Sequence, residues 1–172
     1  MATVINIKLK DDYLEFIAKL RKAASGDFKK EFATYVEALG TEFLRIVQDE
    51  IIRRKVVDTR LLLNSFTKGA EGNIWTIEDA GLKVEVGTNV DYATFVNDGH
   101  WTNPAGVAMR FIPGTWAGGK FVYQPGAKTG MVLKQQWIEG AHYMEAAVRI
   151  FEKMMPDLLE AKLQQWLDTY FG

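Results

Sequence analysis

The chain has 172 residues, 48% hydrophobic and 12% aromatic, with 21 basic against 22 acidic side chains and no cysteine. That length suits a single domain over 1–172 with apolar surface enough for a core, and the near-neutral charge argues against a general DNA binder, which needs clustered cations to neutralise phosphates. The missing cysteines exclude disulfides, thiolate nucleophiles and cysteine-ligated zinc, and no apolar run approaches the ~20 residues that cross a bilayer.

In chain order, Val4–Leu9 alternates and reads as a short strand. Asp11 or Asp12 caps a helix through 21–23 whose apolar side is Leu14, Ile17, Ala18 and Leu20. This first stretch, 1–26, has no long apolar segment of the signal-peptide kind and is a candidate arm. The strongest signal follows over 27–55. Phe28, Phe32, Tyr35, Val36, Leu39, Phe43, Ile46, Val47 and Ile51 recur at spacings of three and four, one face of a helix roughly 40 Å long. Gly40 inside it invites close approach of another element. Arg53, Arg54 and Lys55 suit the negative end of the helix dipole.

Asp58 or Thr59 caps a short helix through Phe66, and 68–72 is a turn region. Residues 73–78 and 82–87 alternate around Asp79-Ala80-Gly81, a β-hairpin. Asn89 is placed to cap a short helix from Val90 or Asp91 to Asn97, stopped at Gly99. Residues 100–130 then hold three of the four prolines and six of the 15 glycines, together with Trp101, Phe111, Trp116, Phe121 and Tyr123. This reads as a long aromatic loop with extended pieces at Met109–Pro113 and Lys120–Gln124 and a mobile tip at Thr115–Gly119. A loop so rich in aromatics packs on its own domain or buries itself in a partner. A helix from about Glu139 closes the chain, and Pro156 either starts a new helix or kinks a long one. The fold class is α+β: a long N-terminal helix and a C-terminal helix packed on a small antiparallel sheet, with the long aromatic Gly/Pro-rich loop.

Catalysis finds little support. His100 and His142 have no metal-binding spacing, and a Ser65, His100, Asp98 set has no nucleophile elbow around the serine. Neither a phosphate loop nor a dinucleotide fingerprint is present. No catalytic residue, metal ligand or cofactor is assigned. The alternative kept open is a small hydrolase or metal enzyme using His100 with Asp91 or Asp98.

Two segments stand out together: Val57-Asp58-Thr59-Arg60-Leu61-Leu62-Leu63-Asn64-Ser65-Phe66, and Val86-Gly87-Thr88-Asn89-Val90-Asp91-Tyr92-Ala93-Thr94-Phe95-Val96-Asn97-Asp98-Gly99-His100. In this order, after a long helix, they resemble the minor structural proteins of tailed bacteriophages, described as neck, head–tail joining or tail-completion proteins. The family's pattern is Asp-Thr-Gly-x-Leu-x-x-Ser, a hairpin, then Val-Gly-x-Asn-x-x-Tyr-Ala-x-x-Val-x-x-Gly. Here Arg60 stands where the pattern has Gly. The motif positions are Asp58, Thr59, Leu62, Ser65, Gly87, Asn89, Tyr92, Ala93, Val96 and Gly99. Capping, a strand end, i,i+4 packing and a left-handed helix stop give them structural roles.

The resemblance implies a non-enzymatic ring component of a virion neck, assembled in the host bacterial cytoplasm, joining head to tail and helping to complete the tail. Its implied partners are itself, as a hexamer or dodecamer, and the neighbouring neck, connector and tail-tube or tail-terminator proteins. It makes at most loose contact with DNA in the lumen and none with a membrane. The candidate interface is the aromatic loop, Trp101, Phe111, Trp116, Phe121 and Tyr123, with strand Val4–Leu9 a second candidate through strand addition. A further alternative is an assembly chaperone or adaptor absent from the mature particle.

Overall fold

The computed structural model describes residues 15, 18, 19, 21, 27–57 and 60–171. Glu15, Ala18, Lys19 and Arg21 are helical. The expected strand Val4–Leu9 and the capping pair Asp58-Thr59 lie outside the described residues.

Helix α1 (Asp27–Arg53) carries the stripe that the periodicity predicts. It ends two residues earlier than the pattern suggests. Lys55 turns to φ 59, its N–H bonds the Ile52 carbonyl and the Val56 N–H bonds that of Ile51. This pair of bonds closes the helix in a Schellman turn, with Val56 folded back onto the core. A short helix, α2 (Leu61–Ser65), follows. Strands β1 (Asn73–Glu78) and β2 (Lys83–Thr88) form the expected hairpin, with Asn73 opposite Thr88 and Glu78 opposite Lys83. Asp79, Ala80 and Gly81 between them all take positive φ.

The hairpin lies across α1. Gly40 is buried, and a Cβ built on it meets Val84 at 3.0 Å and Trp75 at 3.1 Å. Gly81 at the hairpin tip sits so close to Ala33 that an added Cβ comes within 2.4 Å. The small residues thus set the distance between helix and hairpin.

Helix α3 (Ala93–Asp98) starts later than the sequence suggests, and Asn89 does not cap it; Tyr92 holds the N-cap position without a side-chain bond. The Asn89 N–H bonds the Gly72 carbonyl instead, and the Thr88 hydroxyl takes the Val90 N–H. Gly87 lies inside β2 rather than ending it, opposite Ile74.

The chain beyond Gly99 is ordered differently from a loop. Strand β3 (Gly99–Trp101) pairs with β7 (Trp137–Glu139). Between them β4 (Met109–Ala117), β5 (Lys120–Tyr123) and β6 (Gly130–Lys134) make a three-stranded antiparallel sheet in the order β5-β4-β6. Thr115–Ala117 therefore belong to a strand, and only Gly118-Gly119 turn the chain, at φ 58 and 78, as two glycines do in a tight hairpin. Prolines and glycines masked the alternation on which a strand assignment depends.

Helix α4 (Tyr143–Phe171) runs unbroken through Pro156. It starts after Glu139, which β7 has taken. It packs antiparallel on α1, bringing Trp166 against Phe28, Phe32 and Tyr35 at one end and Phe151 against Phe43 further along. The core, Leu44, Val47, Ile51, Leu62, Phe66, Ala93, Tyr143 and Ala147 among them, lies where α1, α2, α3 and the start of α4 meet. No described helix is long and apolar enough to cross a membrane.

Candidate assembly interface

The two motifs meet in one joint. The Tyr92 hydroxyl accepts the Leu62 N–H at 3.2 Å, so a side chain of the second motif satisfies a free amide at the start of α2, in the first. The Ser65 hydroxyl is fully buried and donates to the Leu62 carbonyl at 2.8 Å. It must then accept from Thr88, 2.7 Å away, whose oxygen takes the Val90 N–H at 3.1 Å. Each hydroxyl has one hydrogen, and this is the arrangement that uses both. The Asn73 amide donates to the carbonyls of Ser65 and Gly87.

Arg60 precedes α2 at φ 65. The left-handed region costs a residue with a Cβ about 1–2 kcal/mol relative to the right-handed one, and glycine stands here in the family pattern.

Asn97 ties this joint to α4. Its side-chain oxygen accepts the Met144 N–H at 3.0 Å, capping the helix from across the chain, and its amide donates to Asp98 and Glu145. The Val96 and Asn97 carbonyls take the N–H groups of Ala141 and His142. Gly99 and Gly140 cross so closely that an added Cβ meets backbone at 2.5 and 2.2 Å. Gly99 ends α3 at φ 86 and ψ 171, an extended, positive-φ conformation that is essentially glycine's alone.

Burial and hydrogen bonding set the charge states here. Tyr143 donates to the Ala93 carbonyl at 3.3 Å. Burial, with Asp98 and Glu145 nearby, pushes its hydroxyl up to about 12. Glu145 is held below the usual carboxylate range by its own backbone N–H and by Asn97. Glu50, only 4% exposed, is lowered chiefly by its bond to Arg53, with Arg54 adding a second cation.

The residues considered for chemistry are dispersed. Ser65 spends its hydroxyl on Leu62 and Thr88. His100 packs its ring on Phe95 at 5.5 Å, with Nδ1 3.4 Å from the Phe95 carbonyl. Asp98 takes the Asn97 amide. Among the described residues no three His, Asp or Glu side chains converge as a metal site would require.

The opposite situation holds in residues 102–136, the arm. No residue between Asn97 and Ala141 belongs to the core or packs against it among the described residues. The arm's root is the β3–β7 ribbon, where Trp101 faces Trp137 across the strands at 5.5 Å. Thr102 bonds Lys134 and Gln136, and Asn103 bonds the Leu133 carbonyl, fixing the wrist. By register, Met109, Phe111, Val122 and Val132 share one face of the sheet, and Ile112, Trp116, Phe121, Tyr123 and Leu133 the other. Glycines opposite rings keep it tight: Phe121 covers Gly114 and Phe111 covers Gly130, leaving no room for a Cβ.

Both faces are thus largely apolar, and among the described residues neither carries a second layer. Met109, Phe111, Trp116, Tyr123 and Val132 are 53–65% exposed. Large side chains bury about 150–250 Å² each when covered, so the arm shows solvent on the order of 500 Å² of apolar surface. That surface is divided between the two faces, Met109, Phe111 and Val132 on one and Trp116 and Tyr123 on the other. Of the five aromatics expected at an interface, Trp101, Phe111, Trp116 and Tyr123 stand more than half exposed, and Phe121 leans on Trp116 at 5.5 Å.

Sequence reading missed Met109 and Val132 as members of this surface, and missed Asn97 as the cap of α4. The signal for the first was the alternation Met109-x-Phe111 and the short apolar run Met131-Val132-Leu133. For the second it was an Asn followed by Asp-Gly, taken only as a helix stop.

A family model described as "Bacteriophage HK97-gp10, putative tail-component" matches residues 15–99. The chain is 47% identical over 148 residues to the phage-like element PBSX protein XkdI of Bacillus subtilis (strain 168), a match covering 86% of this chain and 91% of that protein. It is also 47% identical over 160 residues to the uncharacterized protein YqbI of the same organism, covering 91% of this chain and 96% of the other. No solved structure matches it. The family match stops at Gly99, the first residue of β3 at the root of the arm. The two relatives extend past it, since a match over 91% of the chain takes in most of 102–136.

Proposed function

The chain belongs to the HK97-gp10-like family of bacteriophage tail components, and from that membership we propose that it is a ring-forming structural protein of the neck of a phage or phage-like particle. It joins the portal side of the head to the tail and helps complete the tail. The observation that supports this reading is the arm, a sheet with two largely apolar faces that no other described residues cover. Such a sheet gains stability only against another surface. A ring supplies one, because each subunit sets one patch against a different patch of its neighbour.

In this reading the motif joint holds the arm's two ends at a set angle, through Gly99, Gly140 and Asn97, and the arm makes the contact. The ring surrounds the DNA path, and DNA contacts are few. Native mass spectrometry and electron microscopy of the protein, alone and with the head and tail proteins of its particle, test this. Closed rings of one size, six or twelve copies, are expected. A strict monomer that binds no head or tail component overturns it. Absence from purified particles assigns the protein to assembly rather than to the finished neck.

A further inference from the structure

The charge of this chain is divided unevenly. Residues 102–136 contain Arg110, Lys120, Lys128 and Lys134 and no Asp or Glu. The chain's net charge of −1 is therefore four positive charges on the arm set against −5 on the remainder. The arm is also apolar on both faces. On the body, between α1, β2 and α4, lies an open apolar groove of about 520 Å³. Leu39 and Phe43, Leu82 and Val84, and Val148 and Phe151 line it, and its charged groups are the Glu152 carboxylate and the Lys83 ammonium, the latter paired with Glu78. Leu82 and Val148 are 43% and 37% exposed there. Its volume is within the roughly 300–1,000 Å³ of sites that hold large apolar groups.

We propose that the arm tip, Trp116 packed edge-on against Phe121, seats in this groove on an adjacent copy of the same chain, with Lys120, on the other face of the tip, at the groove's rim beside Glu152. The inference rests on the ring reading above. Two features favour a second copy over another occupant. Arm and body carry opposite net charge, so the contact is attractive between identical chains and also heterologous, as ring closure requires. The chain's own arm does not occupy the groove, since Trp116 is 65% exposed. Bringing the +4 arm onto a −5 body also steers encounter, an effect that salt screens.

The chain has no cysteine, so introduced thiols report one contact cleanly. Lys120→Cys and Glu152→Cys proteins are purified separately, mixed with assembled particles or at ring-forming concentration, and oxidised. The expected result is a covalent dimer in the mixture at least tenfold above the Lys120→Cys with Glu71→Cys control, weakened by added Trp116→Ala or by high salt. Rings that form without the cross-link overturn this contact and leave the ring reading intact. Failure to form rings with any partner removes the ring reading itself. Intramolecular cross-linking of Glu152→Cys to Leu14→Cys would seat the chain's own first residues in the groove and overturn it. So would Lys120→Glu abolishing retention of duplex DNA while ring formation is unchanged.

Discussion

Phe66 and Trp116 are both large aromatics, yet Phe66 is 1% exposed and Trp116 is 65% exposed. The first belongs to a body whose apolar side chains cover one another. Its buried polar groups Ser65, Asn97 and Glu50 all have partners within the same chain. The second belongs to an arm whose apolar side chains face solvent from both sides of one sheet. The contrast separates two jobs. On the ring reading proposed above, the body supplies the stability of the fold and the arm supplies the apolar surface a neighbour would cover. Damage to either region should leave a different signature.

The largest effect is expected in the body. Phe66→Ala removes a fully buried ring packed edge-on against Tyr143 at 6.1 Å and leaves a cavity, costing about 3–5 kcal/mol. Urea unfolding monitored by circular dichroism should show the midpoint fall accordingly. A loss under 1 kcal/mol would mean that the core is not where the structure places it. Asn97→Ala comes next. It strips the cap from the Met144 N–H and the bonds to Asp98 and Glu145, a loss of about 2 kcal/mol. Hydrogen exchange should show the first turn of α4 opening more often, with the far end of that helix unchanged.

The body was largely legible in the sequence because its periods are simple. The α1 stripe has helical spacing, β1 and β2 alternate around a turn, and both motifs are contiguous. The cap on α4 was not legible, since Asn97 acts 47 residues away from Met144 and only folding brings them together. The arm was legible as an unusual composition but not as a sheet, because Pro113, Gly114 and Gly130 interrupt the alternation that identifies strands. The glycines are required by Phe121 and Phe111 lying over them. Arg60 is a case where the sequence flagged the position and the structure explains it. Glycine there relieves the φ 65 strain while adding freedom to the unfolded chain, so Arg60→Gly should gain about 0.5–1 kcal/mol. Differential scanning calorimetry should record a melting point a few degrees higher, and an unchanged or lower one would contradict the left-handed assignment.

Tyr143 gives the body a pH signature. Its hydroxyl is raised to about 12 by burial first and by Asp98 and Glu145 after that. The folded state therefore favours the neutral phenol. The stability this contributes is complete below the unfolded value of about 10 and is lost as pH rises from there toward 12. Tyr143→Phe should cost at most about 1 kcal/mol at neutral pH, through the bond to the Ala93 carbonyl. It should also flatten the loss of stability above pH 10. An equally steep alkaline limb in the variant would place the titrating group elsewhere.

The smallest effect on stability should come from the most exposed aromatic, and it decides whether the comparison of the two regions holds. Trp116 touches Phe121 and no part of the core. Trp116→Ala should therefore shift unfolding of the isolated chain by no more than about 0.5 kcal/mol, the range for surface substitutions. The same change removes one of the largest apolar contacts the arm can offer, and truncated interface aromatics commonly cost 2 kcal/mol or more in binding. Sedimentation of the variant against the parent chain, beside their melting curves, reads both quantities on one sample. Reduced assembly with unchanged melting is the outcome of a reserve kept for a neighbour. A melting point that falls with assembly unchanged would mean that the ring of Trp116 serves the fold of its own chain, and the division between body and arm would have to be redrawn.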